Sequence, residues 1–488
     1  MNPLLIGRYF MQKPPLLIWL AGASMKIFGI SAFALRLPVL LAACAATTIL
    51  FAWWQSEKSF WPACVAVFLL LSNPLWHTLA RLCYTDILLQ AGVLAAVVAV
   101  ARDPKLERKR TVALAGAAIA FGIMVKNVAG VLPLPILVIF YFLNGWRLPW
   151  AALLKICVLA LLLAAPWHIY QIIQHPRWLF ADYVQVQLFE FGRNPPSQSS
   201  SEGAAWFYLK RLALTDPILC LLSTLALPFL LRSVREKKAN SVLLLSWLVV
   251  MAIAPLLFKY RNLPYVLGVI PPLCLLATGF GPLTSWNKKM IAAAAVALFC
   301  CKAGFSRQPW GLPYHEIAPI PAERSLEWYA GLRRSNELIV VNSDDEFYSM
   351  ALPLAKVRYC FIDAAGVTLR YAPHYAFLGI TVTASQFEQL ERWRPQFRRR
   401  LHEWGLDATD PIATSIIAAS APEVIQLIES HPSSDFYIPA NVLAGIGSGT
   451  VTTHRVLAIS SDRFFLLAAG ASTPLRGPSD GSQPYWAW

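Results

Sequence analysis

The chain has 488 residues, 57% hydrophobic and only 14% charged, and its mean hydropathy of +0.51 lies outside the range of soluble globular domains. That excludes a soluble enzyme and marks an integral membrane protein. The formal net charge of +15 does not imply a nucleic-acid partner, because Lys and Arg cluster in short loops between apolar runs, the positive-inside pattern. Eighteen Trp fit the aromatic belts of membrane–water interfaces. The cysteines lie mostly within apolar runs (Cys44, Cys64, Cys157, Cys220, Cys274, Cys300, Cys301), without disulfide or zinc spacing, and read as small core residues.

The chain opens on Lys13-Pro14-Pro15, followed by an apolar run to Ile30. The prolines remove two backbone donors and push Lys13 out of helical geometry, so a helix begins only after them. Lys13 then stands just ahead of a helix N-terminus, where its ammonium and nearby N–H groups can share an anion. A lysine that only snorkels to the membrane surface is the alternative. The run falls short of the roughly 20 apolar residues a span needs. It is expected to lie along the interface as a juxtamembrane helix, with Lys26 near its end.

Ten spans are expected next, at 34–55, 60–80, 85–101, 111–126, 128–143, 149–166, 213–231, 240–258, 263–280 and 289–304. One set of loops is compact and basic: Arg102 to Arg110, Arg147, Arg232 to Lys238, and Lys288-Lys289. The other holds Arg81 to Asp86, Lys126-Asn127, the 168–204 segment, and Lys259 to Asn262. Placing the basic set in the cytoplasm puts the second set, the N-terminus and everything after about residue 305 outside. Ten spans that start outside also end outside, so the scheme closes. A first residue already outside, with no preceding signal, is awkward to insert. The expectation is therefore a missing N-terminal helix, through a misplaced start or a truncated gene. Residues 1–33 would then be the remnant of a first outer loop, 34–305 the membrane domain and 306–488 an extracytoplasmic domain.

From about Arg307 charges become frequent and short β-like runs alternate with amphipathic segments. Helices are expected at 322–334, 344–352 and 385–401, and extended runs at 337–342 and 357–362. The alternation continues through 414–419, 422–430, 436–438 and 455–467 to a polar Gly/Ser/Pro-rich tail. This predicts an α/β domain without a phosphate loop, metal spacing or nucleophile motif. Asp344-Asp345-Glu346 could bind a cation, but a solvated helix N-terminus is the commoner meaning of such a run.

Chemistry is better sought where polar residues approach the membrane, since each costs roughly 2.5–3.5 kcal/mol there. Arg81 and Asp86 flank the junction of two spans, and a simple interfacial ion pair between them is the bland alternative. Lys126-Asn127 joins two spans with almost no loop. His168 follows Pro166-Trp167 at the end of a span, and the loop after it carries Asp182, Glu190 and Arg193. Alone, His168 is more often an interfacial histidine than a ligand. Lys259-Tyr260-Arg261-Asn262 precedes Pro264-Tyr265. Four outer loops thus bring cations, phenols and a carboxylate to one membrane face, which suits an anionic lipid headgroup such as a polyprenyl phosphate.

The ordered series KPPLLIWL, FGISAFALRLP, ARLCYTDILL, PWHIY and KYRNLPYVLGVIPPLCLLA resembles the bacterial family 39/83 glycosyltransferases. These share the GT-C fold of the aminoarabinose–lipid A transferase and the protein O-mannosyltransferases. The resemblance covers about residues 1–305. It implies a polyprenyl-phosphate sugar donor and an acceptor modified outside the cytoplasmic membrane. It also implies that Lys13 contacts the lipid phosphate, helped by Tyr265 and by Arg261 or Lys259, and that Asp86, with Arg81 nearby, is the acidic residue of the second outer loop and the candidate catalytic residue of this chain. In the family an acidic pair upstream of KPP supplies the presumed base, and this chain begins after that point. Gln12 stands where some members carry an acidic residue, which argues against a divalent metal there. The rival class is a transporter or lipid-flipping protein, disfavoured by the absence of an inverted repeat and by the one-sided outer domain. A non-catalytic, partner-binding remnant is the third reading.

Overall fold

Pro15 opens the first helix. Its carbonyl accepts from the N–H of Trp19 at 2.8 Å, and α1 (Leu16–Phe28) runs from there to Gly29, whose φ of +82° a side chain would resist. The computed structural model describes residues 4–5, 8–9, 13–29, 31–176, 179–180, 183–184, 203–258, 261–280, 329, 337–341, 356–362, 416–419, 421–439, 443, 454–458 and 463–468. They fall into two compact units. One comprises Met11–Gly29 and Phe33–Ile317; the other comprises Met1–Phe10, Ile30–Ala32 and Ala318–Trp488.

The first unit continues with α2 (Ala32–Glu57), α3 (Phe60–Leu71), α4 (Pro74–Ala80), α5 (Thr85–Arg102), α6 (Lys109–Lys126), α7 (Pro133–Asn144) and α8 (Trp150–Gln174). Its further described helices are α9 (Ala204–Thr215), α10 (Pro217–Arg235), α11 (Ala239–Ile253) and α12 (Ile270–Gly279). Among the described residues, six of its helical segments are long and apolar enough to cross a membrane, or seven if the bent pair α3–α4 counts as one. This is a multi-pass membrane protein. Trp53, Trp54, Trp76 and Trp247 fill its core. Close helix approach depends on small residues: a Cβ on Gly92 of α5 would come within 3.1 Å of the Ala118 carbonyl oxygen of α6.

The departures from ten uniform spans have local causes. The expected span 60–80 is broken by 70°, because Pro74 cannot continue a helix and Asn73 caps a new one. The expected span 128–143 loses its first turn to a 3-10 segment, Asn127–Val131, which leaves α7 with 12 residues. The segment 213–231 is interrupted at Asp216, between α9 and α10. Residues 263–280 form a 3-10 segment, Leu263–Val269, followed by the short α12. Helix α8 runs through Pro166 to Gln174, so Pro166-Trp167-His168 lies inside a helix and does not end it. The expected span 289–304 lies outside the described residues.

The second unit contains a short antiparallel ladder of β1 (Leu4–Leu5) and β2 (Arg8–Tyr9). It also holds a six-stranded sheet of β3 (Glu337–Val341), β4 (Lys356–Ile362), β5 (Ile416–Ala419), β6 (Asp435–Pro439), β7 (His454–Ala458) and β8 (Arg463–Ala468). The order is β5-β4-β3-β6-β8-β7, parallel from β5 to β6 and antiparallel beyond. Helix α13 (Ala421–Ser430) lays Val424, Leu427 and Ile428 on the Ile339, Phe436, Ile438 and Leu466 face. The expected run 455–467 is two strands rather than one. Tyr329 OH donates to Asp435 Oδ2 at 2.6 Å, and Asp435 Oδ1 accepts from Ala468 N–H at 2.8 Å. The other positions of the helices expected at 322–334, 344–352 and 385–401, with the 344–346 acidic run and the polar tail, lie outside the described residues.

Candidate active site

Asp86 sits in the first turn of α5, and Lys126 is the last residue of α6. A carboxylate at a helix N-terminus and an ammonium at a helix C-terminus are each favoured by the local dipole. The two antiparallel neighbours bring these ends together, and Lys126 Nζ donates to Asp86 Oδ1 at 2.6 Å with both residues buried. Thr85 Oγ1 stands 3.5 Å from the other carboxylate oxygen. The Lys126 ammonium also lies 4.9 Å from the ring centroid of Tyr265, a cation–π distance.

Lys126 is held there by a reversal of the chain. Asn127 takes a φ of +43°, and its side-chain oxygen accepts from Val128 N–H at 2.6 Å. The 3-10 turn then folds back onto α6 so tightly that a Cβ on Gly130 would lie 2.0 Å from the Ile123 nitrogen. Only a glycine fits, and the absent loop after Lys126 is the sign of this fold-back.

Lys13 joins the same group. It is half-buried at the head of α1, which packs against α6. Burial lowers its pKa to about 7, Lys126 adds to that effect, and Asp86 opposes it. Lys126 and Asp86 thus both lie within electrostatic reach of Lys13.

The remaining expected site residues behave differently. Arg81 is exposed and its Nη1 lies 3.4 Å from His77 Nε2, so the carboxylate of Asp86 is paired with Lys126 and not in a simple Arg81 bridge. His168 is fixed at both ring nitrogens: Nδ1 donates to the Ala164 carbonyl at 2.8 Å, and Nε2 lies 2.8 Å from Tyr183 OH. Burial pushes the Tyr183 phenol well above its usual range. The Arg261 guanidinium stands 5.9 Å from the Phe207 ring centroid, and the next backbone N–H, of Asn262, donates to Tyr208 OH at 3.4 Å. Lys259, Gln12, Asp182, Glu190 and Arg193 lie outside the described residues. Among the described residues no group of three or more His, Cys, Asp or Glu gathers as a metal would require. The lysine–carboxylate pairing itself escapes sequence reasoning, because 40 residues separate its partners; the missing loop at Lys126-Asn127 was the available signal.

Residues 12–170 match the family model described as dolichyl-phosphate-mannose-protein mannosyltransferase. That segment contains Lys13, Asp86 and Lys126. Comparison with curated proteins returns no match. Among solved structures, ArnT from Cupriavidus metallidurans in the apo state aligns at a TM-score of 0.64 and 14% identity, over 94% of this chain and 88% of that one. The same protein bound to undecaprenyl phosphate aligns at 0.66 and 14% identity, over 97% and 91%. The chain shares the GT-C fold of ArnT. Within this GT-C architecture the cluster of Lys13, Asp86, Lys126 and Tyr265 is assembled from α1, α5, α6 and the 263–269 turn.

Proposed function

We propose that the protein transfers a sugar from a polyprenyl-phosphate donor to an acceptor on the outer side of the cytoplasmic membrane. The unit carrying the six-stranded sheet is placed on that side as well. The observation that supports this reading is the cluster itself: Lys126 is bonded to the buried Asp86, and Lys13 lies within electrostatic reach of both, in the segment that matches the mannosyltransferase model. A phosphate bound beside Lys13 would accept charge-assisted bonds about twice as strong as neutral ones. ArnT, whose fold this chain shares, has been crystallised with undecaprenyl phosphate.

In the transfer the sugar's anomeric carbon exchanges its bond to phosphate oxygen for one to the acceptor oxygen; the lipid phosphate leaves as an anion, and the acceptor hydroxyl's proton passes to a carboxylate, for which Asp86 is the candidate. Lys13 stabilises that developing charge, and the Tyr265 hydroxyl is the nearby neutral donor. Asp86 accepts from the acceptor hydroxyl and orients it, and its bond to Lys126 holds the carboxylate in place. Arg261 and Lys259 are assigned to the headgroup, Arg81 to the rim of the site, and His168 to the wall it shares with Tyr183. In membranes reconstituted with a panel of polyprenyl-phosphate sugars, the wild-type chain is expected to consume at least one and release polyprenyl phosphate. Lys13→Ala should lose at least about tenfold in turnover, roughly 1.4 kcal/mol. Unchanged turnover in Lys13→Ala would return that residue to a surface role and remove the phosphate site.

A further inference from the structure

Asn73 and Asp216 are 0% and 2% exposed, yet neither belongs to the cluster just described. Each is the N-cap of a helix that begins with proline, α4 at Pro74 and α10 at Pro217. Their main-chain carbonyls start those helices, accepting from His77 N–H at 2.9 Å and from Cys220 N–H at 3.1 Å. Their side chains form one continuous chain of bonds. Asn73 Oδ1 accepts from Trp76 N–H at 3.1 Å, Asn73 Nδ2 donates to Asp216 Oδ2 at 3.0 Å, and Asp216 Oδ1 accepts from Leu219 N–H at 3.0 Å.

This chain has a fixed direction. The N–H of Trp76 settles which end of the Asn73 amide is oxygen, so that amide must offer its N–H onward. Position 216 then has to accept at both of its terminal atoms, Oδ1 and Oδ2, which a carboxylate can do and an amide, with one oxygen and one NH2, cannot. Both helix N-termini also favour a negative charge at that point. The side chains thus specify an amide on one helix and a carboxylate on the other.

We propose that the Asn73–Asp216 pair is a clamp that positions Asp86, holding the 70° break between α3 and α4. Helix α4 packs against α5, which carries Asp86, and against the 263–269 turn, which carries Tyr265. Seven helical residues and the short 81–84 segment separate the clamp from α5. Lys13 reaches the site by another route, through α1 on α6. Opening the clamp should therefore disturb Asp86 and Tyr265 more than the phosphate contact of Lys13. The effect on turnover rests on the glycosyltransferase reading; the effect on the backbone does not.

The test compares the purified full chain with Asp216→Asn, Asn73→Asp and the double swap, following hydrogen–deuterium exchange over 78–88, turnover, and affinity for undecaprenyl phosphate. Each single change breaks the acceptor count. Each should raise exchange in 78–88 and lower kcat by about tenfold, with undecaprenyl phosphate affinity held within about twofold. The swap restores the count in reverse: the carboxylate at position 73 accepts from Trp76 N–H and from the amide at 216, whose oxygen accepts from Leu219 N–H. Exchange and kcat should both recover in the swap. Should a single variant not fold, recovery of folded protein by the swap supports the clamp equally. Wild-type exchange in Asp216→Asn, or a swap as damaged as the single changes, overturns the clamp. If the exchange pattern appears as described while the wild type transfers no sugar from any lipid donor, the clamp stands and the glycosyltransferase reading falls.

Discussion

Lys13 is the residue whose chemistry is most exposed to test. Its pKa lies near 7, lowered from 10.5 first by burial and then by Lys126. Between those values the folded protein holds fewer protons at this site than the unfolded chain. This group's contribution to stability therefore rises as pH climbs from about 7 towards 10.5, and is least favourable below 7, where a charge must stay buried. A bound phosphate reverses the balance by favouring the ammonium. Binding of undecaprenyl phosphate should take up a proton above pH 7, and affinity should fall by roughly tenfold between pH 7 and 8.5. Calorimetry in buffers of different ionisation enthalpy measures that uptake, and Lys13→Ala should abolish it. Lys126 answers to a different rule. Removing one partner of a buried pair costs about 3–5 kcal/mol because the other is left uncompensated. Lys126→Met should lower the thermal midpoint far more than Lys13→Ala does, in the same melting experiment.

At the scale of elements, most of the fold was legible in the sequence and most of its geometry was not. Apolar runs between basic loops mark the helices, since hydropathy alone places them. The lysine ahead of two prolines was read as the head of a helix, and α1 begins right after Pro15. What escaped were the breaks. Asn73-Pro74 and Asp216-Pro217 are both a capping residue followed by proline, a local helix-start signal, yet the apolar runs around them read as unbroken spans. Their meeting is non-local and no pattern within either segment reveals it. The fold-back after Lys126 escaped in the same way, because Gly122 and Gly130 matter only through each other's backbone. Gly130→Ala should therefore be costly: its Cβ would fall 2.0 Å from a backbone nitrogen, which has no soft way to yield. A loss of about 1–3 kcal/mol or more in unfolding experiments is expected, with turnover falling as Lys126 leaves Asp86. A Gly130→Ala variant of wild-type stability would contradict the tight turn.

At the scale of the whole molecule, the account requires the site to open on one membrane face. Single cysteines placed in the 102–110 and 232–238 loops, in a background free of native cysteines, should be shielded from an impermeant thiol reagent in intact cells. Cysteines at 168–204 and after 310 should react, and the opposite labelling would invert the arrangement. The claim on which everything else depends is that the paired lysines recognise a lipid phosphate. It is tested most directly by measuring the affinity of the purified protein for undecaprenyl phosphate against the same lipid ending in a hydroxyl. The phosphate lipid should bind at least about tenfold more tightly, with the difference lost in Lys13→Ala; equal affinity for the two lipids would contradict the account.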